Sequence, residues 1–147
     1  MNASKLRLYH RLQIAAHSIR KAGDRTVLDA AGITVAQTAV LIIAASGPNV
    51  TQRDVARALR LNESAVTAMV SRLLKLGLLE RTPNASDSRA WRLSLTPSGE
   101  AALRASRKSF ASINARIESK LSELEIEQLA GVLDRIADAF EEQRRPN

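Results

Sequence analysis

Between Thr51 and Thr96 the hydrophobic repeat changes period, and that change restricts the folds open to this chain. Thr51 and Asp54 have the spacing of a helix start, in which each side chain satisfies a free backbone N–H of the other. They open a short helix, Gln52 to Leu59. The turn Arg60-Leu61-Asn62 follows, and Asn62 caps a longer helix running to Leu76, which Gly77 closes. On that helix Val66, Val70 and Leu73 form one apolar stripe. The period then falls to two. Leu78 to Thr82 reads as a strand, and Trp91, Leu93 and Leu95 alternate with Arg92, Ser94 and Thr96 as a second. Pro83 to Ala90, polar and rich in turn formers, is the long tip between them. Two short helices, a three-residue turn and a hairpin in this order describe a winged helix-turn-helix. Ala56 is small where the two helices cross, and Val66 locks the second onto the first.

The flanks are helical. Leu8, Leu12, Ala15 and Ile19 recur at helical spacing, and Gly23 and Asp24 are expected to end that helix. Thr34 and Gln37 open another by the same capping arrangement. Its apolar run, Val35 to Ala45, predicts burial on most faces, and Gly47 with Pro48 stops it. After Pro97 come two more helices. One bears Leu103, Phe110, Ile113 and Ile117; the other bears Leu129, Val132, Leu133, Ile136 and Phe140. The expected fold class is therefore mainly α with a small β-hairpin wing.

The formal net charge is +7, and it is uneven. From Thr51 to Arg92 there are eight Lys/Arg against four Asp/Glu; from Pro97 to Asn147 there are eight against nine. A basic centre in a small globular chain points to a polyanion, nucleic acid first. Aromatic residues make up 3%, too few for the stacking platforms of single-strand and RNA binders, so duplex DNA is the expected partner. No stretch has the length of a spanning helix, the first 18 residues do not resemble a signal peptide, and no membrane partner is expected. Cysteine is absent, which excludes disulfides, cysteine-bound zinc and a thiol switch.

The helix after Asn62 suits a major groove. Ser64, Thr67 and Ser71 are short hydroxyl side chains that let the backbone approach base edges, Ala68 suits a thymine methyl, and Arg72 follows on the same helix. Thr51, Arg53, Lys75 and Arg81 are the candidates for phosphate contacts. In the hairpin, Asp87-Ser88-Arg89 precedes the second strand and Leu95-Thr96-Pro97-Ser98-Gly99 follows it. This run resembles the wing of the MarR (multiple antibiotic resistance regulator) family, Asp-x-Arg, five residues, then Leu-Thr-x-x-Gly. Arg72 to Arg81 looks like that family's join between recognition helix and wing. The resemblance implies that Arg89 enters a minor groove and that Asp87 holds it through a charge-assisted pair. It also implies a homodimer: residues 1–22 and 100–144 interdigitate across a two-fold axis, flanking a DNA-binding part at 34–99 within one unit, 1–147. The operator is then roughly palindromic, with half-sites about 10 base pairs apart. Arg60 stands where simpler helix-turn-helix proteins have glycine.

Relatives of this kind often take small aromatic or anionic effectors between the first, second and fifth helices and the DNA-binding part. Tyr9, His10, Gln13 and His17, with Ile42 and Ile43 as apolar wall, are the candidates for such a pocket. His10 and His17 lie seven residues apart, about 10 Å along a helix, too far to share a metal ion. No metal or cofactor is expected. There is no phosphate loop and no nucleophile with an identifiable base, so an enzyme is not expected either. The reading is a cytoplasmic, nucleoid-associated transcriptional regulator, most naturally a repressor. A winged module serving only protein–protein contact is the alternative.

Overall fold

The computed structural model describes residues 3–85, 87 and 89–141; Ser88 of the wing motif, and residues 1–2 and 142–144 of the expected dimerisation segments, lie outside them. The element order is α1 (Ala3–Ala31), α2 (Val35–Ala44), α3 (Gln52–Leu59), α4 (Glu63–Lys75), β1 (Leu79–Pro83), β2 (Trp91–Leu95), α5 (Pro97–Glu118) and α6 (Glu123–Glu141). The chain divides into two compact units, 1–110 and 111–147.

The first unit contains the core. Val55 and Ala56 of α3, Val66, Val70 and Leu73 of α4, and Val40 and Leu41 of α2 are buried together with Leu79 and Leu93 from the hairpin. Fully burying one such aliphatic side chain stabilises the fold by about 1.5–3 kcal/mol, so this cluster fixes how the two short helices cross. Val66, Val70 and Leu73 recur at helical spacing, and all three are inaccessible, as the stripe predicts. On α5 the buried face is made of small and polar residues, Gly99, Ala102, Ser106 and Ser109, beside Leu103. There the Thr38 hydroxyl of α2 donates to Ser106 Oγ at 3.3 Å.

Four local expectations hold in detail. Thr34 and Gln37 form a capping box on α2, and Thr51 and Asp54 form one on α3. Asn62 Oδ1 accepts the Ala65 N–H at 2.8 Å and starts α4. Gly77, at φ +69°, closes α4: its N–H donates to Leu74 O and the Leu78 N–H to Leu73 O. Leu78 is thus spent on the helix cap, so β1 begins at Leu79, one residue later than its alternation suggests. The strands pair antiparallel with Leu79 opposite Leu95 and Pro83 opposite Trp91.

One expectation about the helices needs correction. The first helix does not stop at Gly23 and Asp24 but runs on to Ala31, where Gly32 at φ +70° ends it. Glycine inside a helix costs about 1 kcal/mol against alanine. Here Gly23 is buried, Val27 one turn on is inaccessible, and Asp24 Oδ1 accepts the Val35 N–H at 3.1 Å. Tertiary contact outweighs the local breaker signal. The hairpin, in turn, is not alone. Thr51 bridges to Arg92, and the Leu93 N–H donates to Val50 O at 2.7 Å, so the segment before α3 lies along β2.

The second unit holds the end of α5 and α6. Ser122 and Glu125 form a capping box on α6: the Glu125 carboxylate accepts both the Ser122 N–H and its hydroxyl. Those two bonds, the backbone one foremost, hold the Glu125 carboxyl below its ordinary value. Leu124, Leu133 and Phe140 of α6 are exposed, Phe140 by 71%. In the first unit, Leu8, Ile14 and Ile19 of α1 are exposed as well.

Candidate nucleic-acid interface

The candidate surface is built on α3, α4 and the hairpin, all within the first unit. Because Val66, Val70 and Leu73 face the core, the opposite side of α4 faces solvent. Ser64, Thr67, Ala68, Arg72 and Lys75 are exposed there and Ser71 is half-buried, so the expected recognition residues do share one face. They are not equally free to bind. The Ser64 hydroxyl donates to Asn62 Oδ1 at 2.9 Å, and Thr67 donates to Glu63 O at 2.7 Å while accepting from Gln52 Nε2 at 2.6 Å. Ala68, Arg72 and Lys75 form the open part of the stripe.

Arg60 closes α3 in the left-handed region, φ 54° and ψ 39°, a conformation that favours glycine and costs other residues about 1–2 kcal/mol. The Leu61 N–H donates back to Ala56 O at 3.0 Å, which ends α3 and turns the chain into α4.

Of the candidate phosphate contacts, Thr51 is engaged in its cap: its hydroxyl donates to Asp54 Oδ2 at 2.7 Å and accepts from Asp54 N at 3.2 Å. The Thr51 backbone N–H, then its hydroxyl, hold the Asp54 carboxyl below its ordinary 3.8, with Arg57 and Arg53 adding to the effect. Arg53 lies 3.6 Å from Glu63, both exposed. Such a pair is worth little in water, so Arg53 remains open to exchange its partner for a phosphate. Arg81 Nη2 donates to Gln52 Oε1 at 3.2 Å, and Lys75 is exposed.

At the wing tip Asp87 and Arg89 are both exposed. Asp87 Oδ1 accepts the backbone N–H of Arg89 at 3.0 Å. Among the described residues the ion pairs are Arg53–Glu63 and Arg57–Asp54, so the expected carboxylate–guanidinium pair is not formed. Asp87 fixes the main chain of Arg89 and leaves its guanidinium free. Behind the tip, Arg53, Glu63, Arg81, Arg89 and Trp91 line an open concavity of about 740 Å³.

Sequence reasoning missed four residues that shape this surface. Gln52 joins α4 to β1. Val50 supplies the strand-like contact to β2. Arg92 donates through Nε to Thr82 Oγ1 across the hairpin and lies 3.5 Å from Pro48 O. Trp91, the only tryptophan, is 55% exposed beside the arginines. The partners of Gln52, Val50 and Arg92 lie from ten to more than forty residues away, and no local spacing marks them.

The effector candidates lie mostly at the surface of the single chain. Tyr9, His10, Gln13 and His17 are exposed along α1, where His10 lines a shallow groove with Arg7, Arg11, Ile14 and Ala15. Ile42 is exposed, and Ile43 packs half-buried on the core. A groove of about 480 Å³, whose residues were not among those candidates, lies between α2, β2 and α5, lined by Leu93, Leu95, Leu103, Arg104 and Arg107 among others.

This arrangement has relatives. A model of the MarR family matches residues 31–90, the stretch from the end of α1 to the wing tip. Over 116 residues the chain is 33% identical to the HTH-type transcriptional repressor MdtR of Bacillus subtilis, spanning 79% of this chain and 75% of that one. The PcaV transcriptional regulator of Streptomyces coelicolor superposes with a TM-score of 0.75 at 29% identity, over 92% of this chain and 96% of its own. MepR of S. aureus, in a structure of its complex with DNA, superposes with a TM-score of 0.80 at 26% identity, over 95% and 98%. With its wing motif, its two short core-locked helices and these relatives, the chain belongs to the MarR family of transcriptional regulators.

Proposed function

We propose that the chain is a homodimeric repressor that binds duplex DNA through α4 in a major groove and the hairpin tip in the flanking minor groove. The observation that supports this best is the exposed stripe of α4, from Ser64 to Lys75, beside a wing whose Arg89 guanidinium is held out by a fixed main chain. A guanidinium in a narrow minor groove meets concentrated negative potential, and a pre-set backbone reduces the entropy lost on insertion. Arg53, Lys75 and Arg81 supply phosphate contacts around it, and Thr51 supplies its cap. The MdtR relative is named a repressor and the MepR relative is seen with DNA; we extend both properties to this chain.

A second copy docks on the exposed apolar residues of α1 and, separately, on those of α6, so residues 1–22 and 100–144 serve dimerisation. The protein works in the cytoplasm, on the nucleoid. Tyr9, His10, Gln13, His17, Ile42 and Ile43 are our candidates for an aromatic or anionic effector site, which the partner copy would have to complete. An effector that prefers the DNA-incompatible form weakens DNA binding by the same factor that DNA weakens its own.

The test is selection of bound duplexes from a random pool, followed by titration of the recovered site with Arg89→Ala. The selected site is expected to be a pseudo-palindrome. The substitution is expected to lower affinity and reduce the slope of log K against log salt by about two, one for each protomer of the dimer. Unchanged affinity and slope refute the wing as a DNA element. No salt-sensitive retardation on any duplex leaves the module of protein contact instead.

A further inference from the structure

Gln52 stands half-buried at the first position of α3, and its amide reaches two other elements. Its Nε2 donates to Thr67 Oγ1 of α4 at 2.6 Å, and its Oε1 accepts from Arg81 Nη2 of β1 at 3.2 Å. The proton directions along this chain are fixed by Arg81. A guanidinium has donors and no acceptor, so the amide oxygen must face it, and the amide nitrogen is left to Thr67. The Thr67 hydroxyl must then accept from Gln52 and give its own proton elsewhere, which it does, to Glu63 O at 2.7 Å. That hydroxyl has used its only proton and one of its two lone pairs. It has no donor left for a base edge.

We propose that Gln52 is a positioning residue that sets the wing against the recognition helix, and that Thr67 is its strut rather than a reader of bases. The amide joins the first strand of the hairpin to the first turns of α3 and α4, the parts that must meet adjacent grooves together. On the β2 side the wing is tied separately, by the Leu93 N–H to Val50 O and by Thr51 against Arg92. Gln52 supplies the tie on the β1 side. A loosened hairpin would still carry Arg89, but would present it over a wider range of angles and bind more weakly on every sequence.

This inference rests on the reading of this face as a duplex-DNA surface, and its test separates the two. A double-mutant cycle is made with Gln52→Met and Thr67→Val, and titrated against the duplex selected by the wild-type protein and against single-base-pair variants of it. Each single substitution is expected to weaken binding roughly five- to a hundredfold, the effect of one net hydrogen bond in each of the two protomers. The double variant is expected to be no weaker than the worse single one, because both break the same chain of bonds. The ranking of the duplex variants is expected to stay as in wild type. Thr67→Ser, which keeps the hydroxyl, is expected to bind as wild type does. Multiplying effects in the double variant overturn the proposal, as does a Thr67→Val change confined to one base pair, or a loss in Thr67→Ser equal to that in Thr67→Val. A wild-type protein that selects no duplex refutes the DNA reading, and this inference with it; a wild-type protein that binds while the cycle multiplies refutes this inference alone.

Discussion

Gly99, the last residue of the wing motif, is the position at which one added methyl group should do most harm. It is buried in the first turn of α5. A Cβ built there would lie 2.0 Å from Leu78 O and 3.0 Å from Leu78 C, both backbone atoms that cannot rotate away. To reach even a crowded contact the start of α5 must move back by about 1 Å. That movement pulls on the Thr96 hydroxyl, which donates to Gly77 O at 2.6 Å, and on the Thr96 N–H, which donates to Leu78 O at 3.2 Å. Overpacking of this kind costs about 1–3 kcal/mol, and each lost bond about 0.5–1.5 kcal/mol, so Gly99→Ala is expected to cost about 2–6 kcal/mol. A domain of ordinary stability, about 5–15 kcal/mol, loses a large part of its margin. Gly77→Ala is the control. Its Cβ meets nothing within 4 Å, and it bears only the left-handed backbone at φ +69°, about 1–2 kcal/mol. Urea unfolding at matched protomer concentration measures both. A Gly99→Ala protein within about 0.5 kcal/mol of wild type, or one more stable than Gly77→Ala, refutes the close-approach argument.

Asp54→Ala is expected to lower stability at pH 7 by about 0.3–1.5 kcal/mol through loss of the α3 capping box. Because folding lowers the Asp54 value, its contribution is present above the unfolded 3.8 and lost as pH falls through the folded value, so thermal melts of variant and wild type should converge in acid below about pH 4. A gap that widens in acid counts against the cap. Asp87→Asn, which keeps an oxygen for the Arg89 N–H, should bind duplex at least as tightly as wild type, whereas Asp87→Ala should bind about two- to tenfold more weakly. Equal losses in gel-shift titrations would instead show that the carboxylate charge matters. Trp91 is the only tryptophan and sits beside Arg89 and Arg81, so its emission should shift on addition of the selected duplex. A spectrum unchanged at saturation places the interface elsewhere.

Much of the scaffold was legible because its signals are local. Thr34 with Gln37, Thr51 with Asp54, and Gly77 act on backbone groups within five residues, so spacing alone identified where helices start and stop. Val66, Val70 and Leu73 lie on one side of a helix by geometry, which also exposes Ser64, Ala68 and Arg72 on the other. The wing motif placed Asp87 and Arg89 at the hairpin tip, and its family was recognisable from residues 87–99.

Contacts between distant residues decided the rest. Gly23 and Asp24 have the composition of a helix end, yet burial around Val27 and the bond from Val35 N–H to Asp24 carry α1 through to Ala31. Asp87 and Arg89 suggested an ion pair, and the fold bonds the carboxylate to the Arg89 backbone instead. Thr67 has the size and polarity of a base reader, and only packing α3 against α4 and β1 brings Gln52 to occupy its hydroxyl. Sequence spacing determines which backbone groups are satisfied nearby and which face of a helix is apolar. Which polar side chains stay free to bind depends on partners brought together by the chain's crossings, and those follow from the buried core.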